Sequence, residues 1–314
     1  MIEIKPQFPD EQSADGRFLR QKDHFRNWVS ADRRSGYPAV ANRYHLYVSL
    51  ACPWAHRTVI VRKLLGLDDA IGMTVVDPIR NENGWAFRDG PGYSHDPING
   101  FKYLKEAYIA TDPKYRGRIT VPVLWDKEEK RIVSNSDDDI MRMLETEFLG
   151  LAKNKVDLYP KTVARDVDEL NDVIYETVND GVYRAGFATS QRAYEQAAHL
   201  VFYTFDQLER RLGGSRYLFG KGIVETDIRL FTTLIRFDAV YYVHFKCNLR
   251  RIIDYPNLYG YLRDLYQFDG VAQTVDFDHI KRHYYCTHRE INPTGIVPIG
   301  PEQDLLAPHA RAAL

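Results

Sequence analysis

The apolar positions of this chain change period several times, and each change marks an element. Residues 44–50 read as a buried strand, and the stretch that follows to about Leu65 has helical spacing. Pro53 suits the first helical position and Gly66 the position just past the end. A second strand reads at residues 73–77 and stops before Pro78. Residues 79–99 are rich in Asn, Gly, Pro and Asp and read as loop. Helical spacing returns at 101–110, through Phe101, Leu104, Ala107 and Tyr108. Residues 120–125 and 131–134 form a strand pair turning through 127–130. Residues 136–148 then place Ile140, Met143, Leu144 and Phe148 on one helix face. Pro122 falls where a ladder donor is needed, so the strand starts or ends there or the Val121–Pro122 bond is cis.

The order β-α-β-α-β-β-α predicts a small sheet with helices on its faces. Beyond residue 160 the pattern is helical throughout. Val163, Val167, Leu170 and Ile174 form one stripe, ended by Gly181. Ala193, Ala197, Leu200, Val201, Leu208 and Leu212 form another, closed by Gly213 and Gly214. Residues 228–237 are apolar enough for a buried central helix. The reading is a polar extension over 1–39, a mixed α/β domain over 40–150, an all-helical domain over 160–290 and an irregular tail over 291–314.

Composition narrows the class. A chain of 314 residues with 44% hydrophobic content can bury two cores. A net charge of −1 gives no electrostatic case for nucleic acid or anionic membrane. Cys52, Cys247 and Cys286 are too widely spaced for a disulfide framework or a metal cluster, so no metal is expected. The first residues lack the layout of a signal peptide, and no run of about 18 apolar residues exists, so a reducing, cytoplasmic setting is expected. The 21 tyrosines include the pairs Tyr241-Tyr242 and Tyr284-Tyr285, which could be core or could line a pocket for a flat aromatic ligand.

Cys52 is the residue with chemistry. Between a strand and a Pro-initiated helix, its sulfur sits among free backbone N–H groups at the positive end of the helix dipole. That setting favours the thiolate, the nucleophilic form. A lone cysteine is more often buried and inert, but strand, Cys-Pro and helix together are more specific than a bare Cys. His56 and Arg57 follow it closely and are expected beside the thiol. Ala55 stands where a resolving cysteine would be, so an external thiol must complete any disulfide chemistry.

A thioredoxin-like half followed by an all-helical half resembles the glutathione transferase architecture. The strings at 51–58, 120–126, 181–188, 244–248 and 291–298 resemble the Xi class, the glutathionyl-hydroquinone reductases, over about residues 20–300. The resemblance implies reduction of S-glutathionyl-hydroquinones by Cys52, with glutathione as co-substrate and a homodimer as the assembly. It also implies that Tyr183, Tyr241 and Tyr285 hold the ring hydroxyls, Tyr183 and Tyr285 acting in the chemistry as well. On the glutathione side it implies that Trp85 covers the peptide, Arg118 pairs with a carboxylate and the Val121 backbone pairs with the cysteinyl part. Ser136 and Asp137 then stand at the γ-glutamyl end.

Two departures stand out. Most relatives carry Glu-Ser where this chain has Ser136-Asp137, so an anion at Asp137 is expected to repel the glutathione carboxylate and weaken binding, or to change the preferred thiol. Val224 stands three residues before Asp227 where Ser or Thr is usual, so a helix cap worth about 0.5–2 kcal/mol is missing. The competing functions are a glutaredoxin-like thioltransferase or dehydroascorbate reductase, which would also use Cys52, and a non-catalytic aromatic-ligand binder, which has no need of a thiolate. A cysteine hydrolase is disfavoured, because His56 lies on the same helix as Cys52 and no paired acid is evident.

Overall fold

The computed structural model describes residues 11–314; the first ten residues of the 1–39 extension lie outside the described residues. The rest of that extension is mostly irregular but contributes two short parallel strands, β1 (Val29–Ser30) and β2 (Tyr37–Pro38). The chain forms two compact units, and they interleave along the sequence. One comprises Lys22–Val156 with Gln273–Thr287; the other comprises the chain up to Gln21, Asp157–Ala272 and His288–Leu314.

In the first unit, β3 (Tyr44–Val48), α1 (Pro53–Leu64), β4 (Gly72–Val75), α2 (Lys105–Thr111), β5 (Val123–Asp126), β6 (Arg131–Ser134) and α3 (Asp137–Thr146) follow one another. The sheet order is β4-β3-β5-β6, with β3 and β4 parallel and the other pairs antiparallel. Every residue of β3 and β5 is buried, as expected of central strands covered on both faces. Helix α2 begins later than its periodicity predicts because the Glu106 carboxylate accepts the N–H groups of Lys102 and Tyr103, both at 2.9 Å, and so diverts the first turn.

The second unit carries α4 (Ala164–Ile174), α5 (Gly181–Gly186), α6 (Gln191–Leu212), α7 (Glu225–Arg236) and α8 (Pro256–Tyr266). Gly181 does not terminate the helical run. A π-helical turn over Tyr175–Asn179 absorbs an extra residue and α5 restarts at the glycine. There a Cβ would stand 3.0 Å from Val201 Cγ2 on α6, so close helix approach explains the residue. All of α7 is buried, as its apolar pattern requires. Val224 has no side-chain acceptor, and the Asp227 carboxylate supplies the remaining cap, accepting from the N–H of Val224 at 2.8 Å and of Leu218 at 3.0 Å. Tyr261 also donates to it at 2.7 Å, yet burial pushes the carboxyl up to about 6.

The last α-helix, α9 (Phe277–Thr287), does not extend this helical unit, although 160–290 read as one domain; it belongs with the sheet. The tail after it is irregular apart from a final turn, but it is anchored. The Arg311 guanidinium donates to the carbonyls of Leu212 and Arg216, each at 2.9 Å, at and just beyond the end of α6. Among the described residues no helix is long and apolar enough to cross a membrane.

Candidate active site

Cys52 is the N-cap of α1, with extended backbone, and Pro53 occupies the first helical position. Its N–H donates to the Ser49 carbonyl at 3.1 Å, and its own carbonyl accepts from His56 at 3.0 Å, which fixes the turn out of β3. The flanking Ala51 and Ala55 are fully buried, while Cys52 is half-buried. Because Tyr47 pairs with Val123, the segment entering β5 lies beside the end of β3. The Val121–Pro122 bond in that segment is cis, and the Val121 carbonyl oxygen is 3.6 Å from the Cys52 sulfur. Thr120 is tied down by Tyr108 and by Asn135, whose amide donates to its hydroxyl at 3.0 Å.

At the helix start, 136–139, all three acids are paired. Ser136 is buried and caps α3, its hydroxyl accepting from the Asp139 N–H at 3.3 Å. Asp137 pairs with Arg57 of α1 at 2.7 Å, and Asp138 reaches the same guanidinium at 3.4 Å. Asp139 pairs with Arg26 at 2.6 Å. Arg57 is almost fully buried, with its guanidinium 4.6 Å from the Trp54 ring centroid. His56, the other base expected near the thiol, is engaged with the Thr274 hydroxyl at 2.8 Å. Cys52 itself stands at the N-terminus of α1, where the positive end of the helix dipole favours a thiolate.

Trp85 is buried, its indole stacked on His283 of α9 at 5.0 Å with the planes 20° apart. Arg118 is half-buried, and its backbone carbonyl accepts from the Tyr115 hydroxyl at 2.6 Å. Tyr285 and Tyr284 lie next to each other on α9 and both are buried. Burial pushes the Tyr285 phenol up to about 12. Cys52, Trp85, Arg118, Val121, Ser136, Asp137 and Tyr285 therefore belong to one unit.

Tyr183 and Tyr241 belong to the other, their ring centroids 5.9 Å apart. Phe245 joins them, edge-on to Tyr183 at 5.3 Å and stacked on Tyr241 at 5.4 Å. The Arg20 guanidinium lies 4.8 Å from the Tyr183 ring centroid while pairing with Asp180. His244 and His288 stack nearby, ring nitrogens 3.3 Å apart, and burial pushes His244 down to about 4. Arg57, expected beside the thiol, instead serves Asp137, and His283 is a site-bordering residue that the sequence pattern left unassigned. The only signal for His283 was a second histidine, His279, one turn before it.

A half-buried cysteine capping a helix, beside a cis-proline on a four-stranded mixed sheet and joined to an all-helical unit, defines a cysteine-type glutathione transferase fold. Residues 51–147 match the profile of the glutathione S-transferase N-terminal domain, and residues 191–264 that of the C-terminal domain. The glutathionyl-hydroquinone reductase YqjG of Escherichia coli K12 is 53% identical, over 96% of this chain and 94% of that protein. The glutathionyl-hydroquinone reductase PcpF of Sphingobium chlorophenolicum is 48% identical, over 94% and 93%. The glutathione-bound structure of YqjG superposes with a TM-score of 0.90 at 54% identity, covering 92% of this chain and 96% of that one. A Xi-class transferase from Natrialba magadii gives 0.91 at 50% identity, covering 92% and 89%. This chain belongs to the glutathione S-transferase family, in its Xi class.

Proposed function

We propose that this protein is a glutathionyl-hydroquinone reductase with Cys52 as its nucleophile. The observation that carries the reading is the placement of Cys52 as the N-cap of α1, half-buried and with its sulfur 3.6 Å from the Val121 carbonyl. The Cys52 thiolate attacks the glutathione sulfur of an S-glutathionyl hydroquinone. The new S–S bond forms as the aryl carbon–sulfur bond breaks, and the ring carbon takes a proton to give the free hydroquinone. A second glutathione thiolate then attacks the Cys52–glutathione disulfide, releasing oxidised glutathione and regenerating the thiolate. The ring carbon is reduced by two electrons, and two glutathione sulfurs, the thioether sulfur of the conjugate and one free thiol, end as one disulfide.

The site residues are assigned on the same basis. The Val121 backbone meets the cysteinyl part of glutathione, while Ser136 and the start of α3 meet its γ-glutamyl end, where Arg57 neutralises Asp137. Trp85 and Arg118 complete the glutathione side. Tyr285 supplies a buried phenol that is protonated at neutral pH, as any phenol with a pKa of about 10 or above is, and able to donate. Tyr183 and Tyr241, with Phe245, form an aromatic cluster suited to a flat quinol. Free glutathione for the second step implies a reducing cytoplasmic compartment. The assembly proposed is a homodimer, which light scattering of the purified protein reads directly.

Steady-state turnover of a panel of glutathionyl hydroquinones tests the function, with free quinol and oxidised glutathione expected in equal amounts. Turnover confined to plain glutathione mixed disulfides would reassign the protein as a thioltransferase. Ligand binding with no turnover at all would make it a binder.

A further inference from the structure

Trp85 lies in an irregular loop, and a side chain meant to cover a peptide must be held there before the peptide arrives. The loop has local hydrogen bonds at Asn81–Gly84 and Gly90–Tyr93, and its backbone at Trp85 pairs with the segment before α2, Leu104 N–H donating to the Trp85 carbonyl and Phe87 N–H to the Lys102 carbonyl, each at 2.9 Å. A further restraint, on the side chain and on both flanks of the loop, comes from α9. His279 and His283 are four residues apart and so share one face of that helix. The Nε2 of His279 is 2.7 Å from the Pro91 carbonyl oxygen, and the Nδ1 of His283 is 2.7 Å from the Pro78 carbonyl oxygen. These two prolines flank Trp85 in sequence. Carbonyls only accept, so each of those ring nitrogens carries its proton and the two tautomers are fixed.

Both histidines are buried, and His283 also stacks on the Trp85 indole. Close packing recurs at the far end of the loop. Gly92 has φ +77°, and a Cβ there would stand 2.9 Å from His279 Nε2. At the near end, the Arg80 N–H donates to Thr287 of α9 at 3.3 Å.

We infer that His279 and His283 are positioning residues that clamp the Trp85 loop onto α9, setting the affinity for glutathione without taking part in the chemistry. The inference rests on the proposed role of Trp85 in covering glutathione. Because α9 also carries Tyr285, the clamp ties the glutathione-covering side chain and the proposed proton donor to one rigid helix.

The test is calorimetric titration of the full-length protein with glutathione alone, together with steady-state kinetics. His283→Leu removes both stack and hydrogen bond and is expected to raise Kd and KM for glutathione about tenfold, while kcat at saturating glutathione stays within about twofold. His283→Gln keeps a donor for the Pro78 carbonyl but loses the ring that stacks on Trp85, and should raise Kd about threefold. It is the variant to read if His283→Leu does not fold. A Kd for His283→Gln equal to that of the unaltered protein overturns the clamp, as does a fall in kcat with KM unchanged. Loss of affinity in a protein that turns over no hydroquinone conjugate would leave the clamp standing and sink the reductase reading instead.

Discussion

Cys52 caps α1, while His56 and Arg57 are bonded to Thr274 and Asp137. The α1 N-terminus is the feature expected to activate the thiol. Alkylation of Cys52 by iodoacetamide, followed against pH, is expected to show a midpoint below that of a free thiol, about 8.5. A midpoint at the free value would remove the basis for thiolate attack. Cys52→Ala should abolish turnover and leave aromatic-ligand binding nearly intact, whereas near-normal turnover by Cys52→Ser would point to a conjugating transferase. The phenols act on a different step. Tyr183→Phe and Tyr285→Phe should each slow quinol release at least several-fold while sparing reduction of a plain glutathione mixed disulfide, because only the aromatic leaving group needs a phenolic proton. Equal losses on the two substrates would leave these tyrosines a packing role.

At the scale of the element, the start of α3 combines a cap with a charge pair. Ser136 holds the Asp139 N–H, and Asp137 holds Arg57 from the neighbouring helix α1. Exchanging the two, as Ser136→Glu with Asp137→Ser, is expected to tighten glutathione binding several-fold. The new carboxylate meets the ligand ammonium, and Arg57, left with Asp138, becomes available to its carboxylate. The same change removes a cap worth about 0.5–2 kcal/mol and a charge-assisted bond worth about 1.5–3 kcal/mol, so the melting temperature should fall. Titration and thermal melts on the same sample separate the two effects. Weaker binding with an intact fold would mean that the present order is adapted to another thiol.

Across the whole molecule, legibility follows sequence separation. The Cys-Pro helix start, the proline breaking the strand pattern and the strand pair before α3 are local signals, and each appears in the structure where the pattern put it. The Arg57–Asp137 pair joins residues 80 apart, and the His283 bond to Pro78 joins residues 205 apart. No periodicity encodes such partners, because they depend on how elements meet. The same holds for α9, whose pattern shows a helix but not which core it serves. Burial also sets the response to acid. His45 and His244 are pushed down to about 4, so each contributes stability above pH 6.5 that is lost as pH falls through 4. Asp227, raised to about 6, and Asp238, also raised by burial, act in the opposite sense, and the two large histidine shifts outweigh them. Urea midpoints should therefore fall steadily between pH 6.5 and 4, and a flat profile would contradict the buried, neutral state of these rings.

Because residues 273–287 complete the unit built from 22–156, the nascent chain cannot finish its first sheet-bearing core until translation has passed residue 287. A fragment ending at Val156 lacks the histidines that hold Pro78 and Pro91, the ring that covers Trp85 and the hydroxyl that holds His56. Expressed alone, 22–156 should bind hydrophobic dyes and melt without a cooperative transition, and a synthetic 273–287 peptide added in trans should restore both cooperativity and Trp fluorescence. A premature stop anywhere before α9 would thus damage the Cys52-bearing half as surely as a lesion beside the thiol, and the redox chemistry of this chain depends on translation running through α9.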